Sequence, residues 1–324
     1  MNAVMVREFG EPEVMTYEQA DVPEPSMGEV LVEVRSIGVN YADTMRRRNQ
    51  YVIRQELPFV PGAEIAGVVT QLGEGVENVS VGDRVVALVG EGAYAEQALA
   101  PSQALIPIPE GLDFDTAAAI PLQGLTAYHI LKTSGQLAEG ESVLVHAAAG
   151  GVGTLSVQMA KLMGASPVIA TASSQEKLDL ARNLGADVLI NYTQEDWPDQ
   201  VRQSTGGRGA DVILEMVGGD FIEKNLRCLN AWGRMVVFGA ASGDRGSVSP
   251  MELLRKNHSI VGFFLPQVMS RPDLFVPSLR QMMGWIESGD VKLTLGASYP
   301  LSEAVQAHRD LEGRATTGKI VLNP

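Results

Sequence analysis

The 324 residues predict an α/β protein in which a β-rich half is joined to a doubly wound parallel sheet. Three observations carry this prediction. The first hundred residues show alternating apolar and polar positions punctuated by Gly and Pro, with no long amphipathic helix. After about Asp113, strand and helix patterns alternate. The segment Val143-Leu-Val-His-Ala-Ala-Ala-Gly-Gly-Val-Gly153 passes from an apolar strand through small residues into a helix with Val152, Leu155, Met159 and Leu162 on one face.

In order, Glu29–Val34, Ile65–Thr70 and Arg84–Leu88 read as strands, with a turn at Val81-Gly-Asp-Arg84. Phe114–Leu131 reads as helix interrupted near Pro121 and Gly124. Strand Val143–Ala147 leads to helix Val152–Met163, and strand Val168–Ala172 to helix Ser174–Leu184. Ser173 or Ser174 is the expected N-cap of the latter, and Gly185 its stop. Val188–Asn191 is a short strand, and Glu195–Thr205 a helix broken early by Pro198. Strand Asp211–Glu215 precedes a helix to about Leu229. Strand Gly233–Gly239, a helical turn at Met251–Lys256 and a sixth strand, Ser259–Phe264, follow. The remainder reads as helix Leu274–Ser288, a helical segment Leu301–Leu311 and a last strand Lys319–Leu322.

The glycine turn carries the chemistry. Gly150, Gly151 and Gly153 let backbone approach a phosphate closely, and the helix beginning near Val152 offers unpaired N–H groups and a positive dipole end. It reads as a dinucleotide-phosphate site. Ala148 stands where the first glycine of a G-x-G-x-x-G frame would fall, so the motif is imperfect. Its context compensates, because a second strand arrives at the βαβ spacing.

Composition excludes other classes. A formal charge of −14 argues against nucleic acid as a partner. Arg46-Arg47-Arg48 is the one basic cluster, expected as a solvated loop or helix face, with a basic rim near an anionic cofactor as the alternative. There is no apolar run of membrane-spanning length and no basic-then-apolar leader, which favours the cytoplasm. The single Cys228 excludes an internal disulfide framework.

Several local sequences resemble the medium-chain dehydrogenase/reductase superfamily, and within it the zinc-independent quinone oxidoreductase (zeta-crystallin-like) branch. They are Gly38-Val-Asn-Tyr-Ala-Asp43, Pro61-Gly-Ala-Glu64, Val81-Gly-Asp-Arg-Val85, Gly124-Leu-Thr-Ala-Tyr128, His146-Ala-Ala-Ala-Gly-Gly-Val-Gly153 and Arg314-Ala-Thr-Thr-Gly-Lys319. The resemblance covers essentially the whole chain. It implies a GroES-like β-rich catalytic domain, residues 1–122 and 266–324, around a Rossmann NADP-binding domain, residues 123–265, with cofactor and substrate in the cleft. Zinc-using members carry Cys where this chain has Asn40 and His where it has Ala63. The four histidines, at 129, 146, 258 and 308, form no close ligand pair, so no zinc is expected. Reduction of an electrophilic acceptor then replaces alcohol oxidation.

NADPH is expected over NADH. A chain that takes the ribose 2′-OH places a carboxylate about 20 residues beyond the turn. Here the second strand ends in Thr171-Ala-Ser-Ser174, and Glu176 comes later. Ser173 and Ser174 can hydrogen-bond a 2′-phosphate, and Lys177 can supply a cation. In the resembled branch Tyr192 borders this phosphate. The resemblance also places Tyr128, Gly151 and Val152 along nicotinamide and pyrophosphate. It adds Val217, Phe238, Gly239, Ala240, Phe263, Phe264 and Leu265 at strand ends, and Arg314 from the C-terminal segment. Asn40 and Thr126 are expected at the cofactor as well.

The reaction implied is hydride transfer to a quinone or to the β-carbon of an activated enone. The cofactor carries the hard chemistry. A donor aimed at the acceptor oxygen would stabilise developing charge, and the candidates are Asn40 first, then Tyr41, Tyr51 and Thr126. Gln123 is a further pocket residue, and Glu64 and Asp43 are expected to orient neighbours. The rival reaction is 2-enoyl thioester or alkenal reduction, which benefits from a positioned acid such as Tyr41 or Tyr51. A rival from another class is a non-catalytic, crystallin-like NADPH-binding protein. A homodimer is expected, because the apolar edge Ile260–Leu265 needs cover.

Overall fold

The computed structural model describes residues 1–324, which form two compact units. The first comprises Met1–Leu122 with Thr294–Pro324, and the second Gln123–Leu293. No helix is long and apolar enough to cross a membrane.

The first unit is built on a seven-stranded sheet. Its order is Leu295–Pro300, Lys319–Asn323, Glu29–Val39, Glu64–Leu72, Arg84–Leu88, Leu105–Pro107, with Gln97–Pro101 also on Glu29–Val39. All pairings are antiparallel except that of Leu295–Pro300 with Lys319–Asn323. Glu29–Val39 outruns the alternation that signalled it, because it lies between partners on both sides. A hairpin, Asn2–Val6 with Met15–Gln19, packs Val4, Val6 and Met15 into the same core as Val30, Ile37 and Ile65. The one α-helix of the N-terminal stretch before Asp113 is Tyr41–Arg47.

The second unit is a six-stranded parallel sheet. Taking its strands in chain order, Val143–Val145, Val168–Ala172, Val188–Asn191, Ala210–Glu215, Leu229–Val237 and Ser259–Gly262, the spatial order is third, second, first, fourth, fifth, sixth. Strand order reverses beside the first strand, the crevice where doubly wound sheets bind ligands. Leu144, Ile169, Ile190, Ile213 and Met235 form the core with Trp197 beneath one face's helices.

Three local expectations are corrected. Pro198 lies in the first turn of helix Trp197–Ser204, where its missing N–H costs nothing, and so starts the helix rather than breaking it. The sixth strand stops at Gly262, because Leu265 opens helix Leu265–Met269. Residues 266–293 belong with the nucleotide unit. Helix Pro272–Glu287 seats Met282 against Gly124 and Ser278 against His129 (2.9 Å), and Lys292 bonds Gln158 (2.8 Å). Only Thr294–Pro324 returns to the β-rich unit.

Candidate functional site

The glycine turn of the second unit is made of bare backbone. After Val145, Ala147 adopts a positive φ of 47°, a conformation that costs a non-glycine residue about 1–2 kcal/mol. The Ala148 N–H donates to Thr171 O (3.0 Å) and the Gly150 N–H to Ala147 O (2.8 Å). Helix Gly151–Leu162 then begins. A Cβ on Gly153 would lie 2.8 Å from Ala148 Cα and closer still to the Ala147 carbonyl oxygen. Only glycine therefore lets the helix lie against the turn. No side chain caps this helix, and its first turn holds no acidic residue. Its N–H groups and positive end are left for an anion.

Several of the expected cofactor residues of the second unit lie at the carboxyl ends of its six strands. Tyr192 N–H donates to Ala172 O (3.2 Å), which brings Tyr192 beside Ser173 and Ser174. Ser174 caps helix Gln175–Asn183 by accepting the Lys177 N–H (3.4 Å). The ends of the fourth, fifth and sixth strands are laced together. Ala241 N–H donates to Met216 O, Ser242 N–H to Val217 O and Phe263 N–H to Val237 O. Phe238, Gly239, Ala240 and Phe264 lie along these ends, and Leu265 is buried where the next helix begins. Thr126 is buried in helix Pro121–His129. Arg314 is exposed, at a positive φ of 56°, just beyond helix Ala304–Glu312.

A buried polar network that the sequence reading missed holds this edge in register. Glu215, fully buried at the end of the fourth strand, accepts the N–H groups of Val217 (2.5 Å) and Gly218 (2.6 Å). Its other oxygen takes the Asn225 amide. Asn225 Oδ1 meets His146 Nε2 (2.8 Å), and His146 Nδ1 meets Thr171 Oγ1 (2.9 Å). Burial holds the His146 pKa below the usual histidine value. The signal was present in Asp211-Val-Ile-Leu-Glu215, a carboxylate closing an apolar strand that must find buried donors.

Tyr128 stands on the same helix as Thr126, Pro121–His129. It lies two positions from Thr126, about 200° around the helix. Its ring stands 5.9 Å from that of Trp285. Both line a cavity of about 290 Å³ with Lys132, Leu162, Met163 and Gln281. Leu162 ends the helix that Gly151 begins, so this cavity sits about 18 Å from the phosphate turn. Neighbouring His129 is buried and held down to about 4 by desolvation.

The first unit holds a second polar centre. Asn40 precedes helix Tyr41–Arg47 and forms a capping box with Asp43. Its Oδ1 also accepts from Lys319 Nζ (2.7 Å), and Nδ2 donates to Gly38 O (3.0 Å) and Glu64 Oε2 (3.3 Å). Lys319 also pairs with Glu64 Oε2 (2.5 Å), and Glu64 Oε1 accepts the Leu122 N–H (2.6 Å). Lys319 is 2% exposed and Glu64 0%. Both Asn40 amide hydrogens are thus engaged. This corrects the expectation that Asn40 is the donor to the acceptor oxygen. The residues also do not fit a zinc ion: an ammonium occupies the neighbourhood of Asn40, and the two carboxylates there, Glu64 and Asp43, are already engaged by Lys319, Asn40 and Tyr94. No group of three His, Cys, Asp or Glu side chains is arranged to hold a metal.

Asp43 orients Asn40 from the other side, accepting its backbone N–H (2.9 Å). Tyr94 Oη lies 3.2 Å from Asp43 Oδ2 and 2.9 Å from His308 Nε2, all three buried. Burial pushes Asp43 up to about 6 and His308 down to about 3. Arg47 is fully buried and paired with Glu312 (2.6 Å), so the arginine run is no solvated face. Arg48 reaches Glu11, and Arg46 lies over the Tyr51 ring at 5.0 Å. Burial raises the Tyr41 and Tyr51 pKa values, which keeps both phenols as neutral donors at pH 7.

Residues 26–110 match the alcohol dehydrogenase GroES-like domain family and residues 151–286 the zinc-binding dehydrogenase family. The rat quinone oxidoreductase is 37% identical, over 99% of this chain and 97% of its own length. The chain belongs to the quinone oxidoreductase family of the medium-chain dehydrogenase/reductase superfamily. A Burkholderia 2-haloacrylate reductase is 36% identical over 99% of this chain and 98% of its own length. Among solved structures, Escherichia coli quinone oxidoreductase complexed with NADPH matches with a TM-score of 0.95 at 34% identity, covering both chains fully. A mycobacterial protein complexed with NADPH matches with a TM-score of 0.95 at 37% identity, again over both full chains. Its fold, a GroES-like unit and a Rossmann unit, is that of the family.

Proposed function

We propose that this protein is a zinc-independent NADPH:quinone oxidoreductase. The observation that carries this reading is the uncapped, acid-free N-terminus of helix Gly151–Leu162 against a turn that only Gly153 allows. The bound nicotinamide supplies the hydride, and the protein supplies position and electrostatics. Backbone N–H groups near Gly151, Val152 and Gly153 hold the pyrophosphate. Ser173, Lys177 and Tyr192, with Arg314, take the 2′-phosphate, since the tip of the second strand carries no carboxylate. Val217, Phe238, Gly239, Ala240, Phe263, Phe264 and Leu265 line the cofactor along the strand ends. Tyr41, Tyr51 and Thr126 remain as donors toward the acceptor oxygen, and their neutral hydroxyls suit that task at pH 7.

The Burkholderia relative's name supports a second reading, in which the acceptor is the activated double bond of an enone or related acid derivative. Both readings share the hydride donor. The protein is further proposed to act in the cytoplasm as a homodimer through the edge strand Ser259–Gly262. An acceptor panel with NADPH and NADH side by side, after chelation of metals, tests the reading. Turnover of ortho-quinones with NADPH, unaffected by chelation, is the expected result. Faster turnover of a crotonyl thioester moves the protein to the second reading. Tight NADPH binding without any turnover makes it a non-catalytic binder.

A further inference from the structure

Glu215 is fully buried, and the groups bonded to its carboxylate are all neutral. The Val217 N–H (2.5 Å) and the Gly218 N–H (2.6 Å) reach Oε1, and the Asn225 amide reaches Oε2. No ammonium or guanidinium is among these donors. Three N–H groups on two oxygens suit the ionised form, which only accepts. The polarity of the whole chain of bonds follows. Asn225 turns Nδ2 to the carboxylate, so its Oδ1 accepts from His146 Nε2, and His146 Nδ1 accepts from Thr171 Oγ1. That tautomer is neutral, in keeping with the burial that disfavours a charged His146. The negative charge is therefore uncompensated within its network. Burying such a charge is costly, and a neutral amide could accept the same two backbone N–H groups. The charge calls for a use that the hydrogen bonds alone do not supply.

Its place supplies one. Glu215 ends the fourth strand, beside the first, where strand order reverses. A dinucleotide lies across that crevice. With the 2′-phosphate proposed at the tip of the second strand, the nicotinamide end lies over the fourth. The turn after Glu215 is held there: Gly218 takes a φ of 79°, and the Gly219 N–H donates to Asp244 O (2.8 Å). A bound dihydronicotinamide gives up hydride with its electron pair, the acceptor adds a proton from solvent, and the ring is left positive. We propose that Glu215 acts through space, its buried charge favouring the positive, oxidised nicotinamide over the reduced one and so drawing hydride toward the acceptor. The inference rests on the proposed binding of NADPH to this unit.

Glu215→Gln removes the charge and keeps the shape. Its oxygen can accept both backbone N–H groups. Its new amide can donate to Asn225 once Asn225 turns over, and Asn225 then donates to His146 Nε2 while His146 Nδ1 donates to Thr171. The measurement is the calorimetric dissociation constant of NADP⁺ and of NADPH. Unit charges on the order of 10 Å apart, at an effective dielectric of about 20, shift an equilibrium ~10-fold. The ratio of the NADP⁺ constant to the NADPH constant is expected to rise by that factor, through loss of NADP⁺ affinity, and single-turnover hydride transfer should slow. A merely structural fault weakens both cofactors alike, so an unchanged ratio overturns the inference. The double variant Glu215→Gln with Asn225→Asp restores one charge, a side chain farther from Val217, and satisfies every bond. Its ratio should lie about two- to threefold above that of the native protein, which keeps the test open even if the single variant does not fold. A double variant with the native ratio contradicts the inference. A native protein that binds neither nucleotide overturns the cofactor reading beneath it. One that binds both, with a ratio that Glu215→Gln leaves unmoved, overturns this inference alone.

Discussion

The two units solve the problem of holding a polar ligand site in opposite ways. In the Rossmann unit the turn proposed to hold phosphate uses no side chain at all. Its donors are main-chain N–H groups, and its specificity of shape is the absence of a Cβ at Gly153. In the β-rich unit the centre around Asn40 is built on three side chains, an ammonium, a carboxylate and an amide, each buried and each bonded to the other two. A backbone site is preorganised by the fold itself and tolerates changes in most neighbouring side chains. A side-chain cluster depends on every member, since removing one partner of a buried pair costs about 3–5 kcal/mol. The first kind of site fails by steric intrusion, the second by loss of a partner.

The largest expected effect breaks the backbone site. Gly153→Ala places a methyl against Ala147 O and Ala148 Cα, which cannot yield as a flexible side chain could. Helix Gly151–Leu162 must move off the turn. NADPH affinity, read by fluorescence titration, should fall ~100-fold or more. Next comes Lys177→Ala. Loss of a charge-assisted bond to the 2′-phosphate is worth about 1.5–3 kcal/mol, so KM for NADPH should rise ~10–100-fold while that for NADH changes little. Equal losses for both cofactors would remove Lys177 from the phosphate.

A smaller effect sharpens the contrast from the side-chain unit. His308 is held at about 3, below the usual 6.5, so the folded chain refuses a proton that the unfolded chain accepts. That histidine's contribution to stability is full above pH 6.5 and is lost as pH falls toward 3. Asp43, raised from 3.8 to about 6, acts in the opposite sense between those values. The histidine window is the wider, so melting temperature should fall on acidification from pH 7.5 to 5. His308→Gln should narrow that fall, and an unchanged pH dependence would contradict the role. The smallest effect is expected at Tyr128, whose replacement by Phe should leave NADPH affinity within about twofold, because its cavity lies a helix length from the turn.

The same contrast explains what was legible in the sequence. Strand Val168–Ala172 and helix Gln175–Asn183, with Ser174 as cap and Gly185 after it, follow from local periodicity and capping chemistry. The strand–turn–helix itself was legible because a run of small residues between an apolar strand and an amphipathic helix is a local pattern; its use as a phosphate anchor is the proposal. Lys319 and Glu64 lie 255 positions apart, and no local pattern pairs them. The Glu215–Asn225–His146–Thr171 network was hidden for the same reason. Arg47 was misread as solvated because its partner, Glu312, lies 265 positions away.

The measurement that bears most directly on the central claim is a calorimetric titration of the metal-stripped protein with NADPH, with NADH as the comparison. Saturable binding of NADPH, tighter than that of NADH and accompanied by a raised melting temperature, is the expected result. Absence of heat and of thermal protection with NADPH would contradict a phosphate anchor at Gly151 and the reductase chemistry built on it.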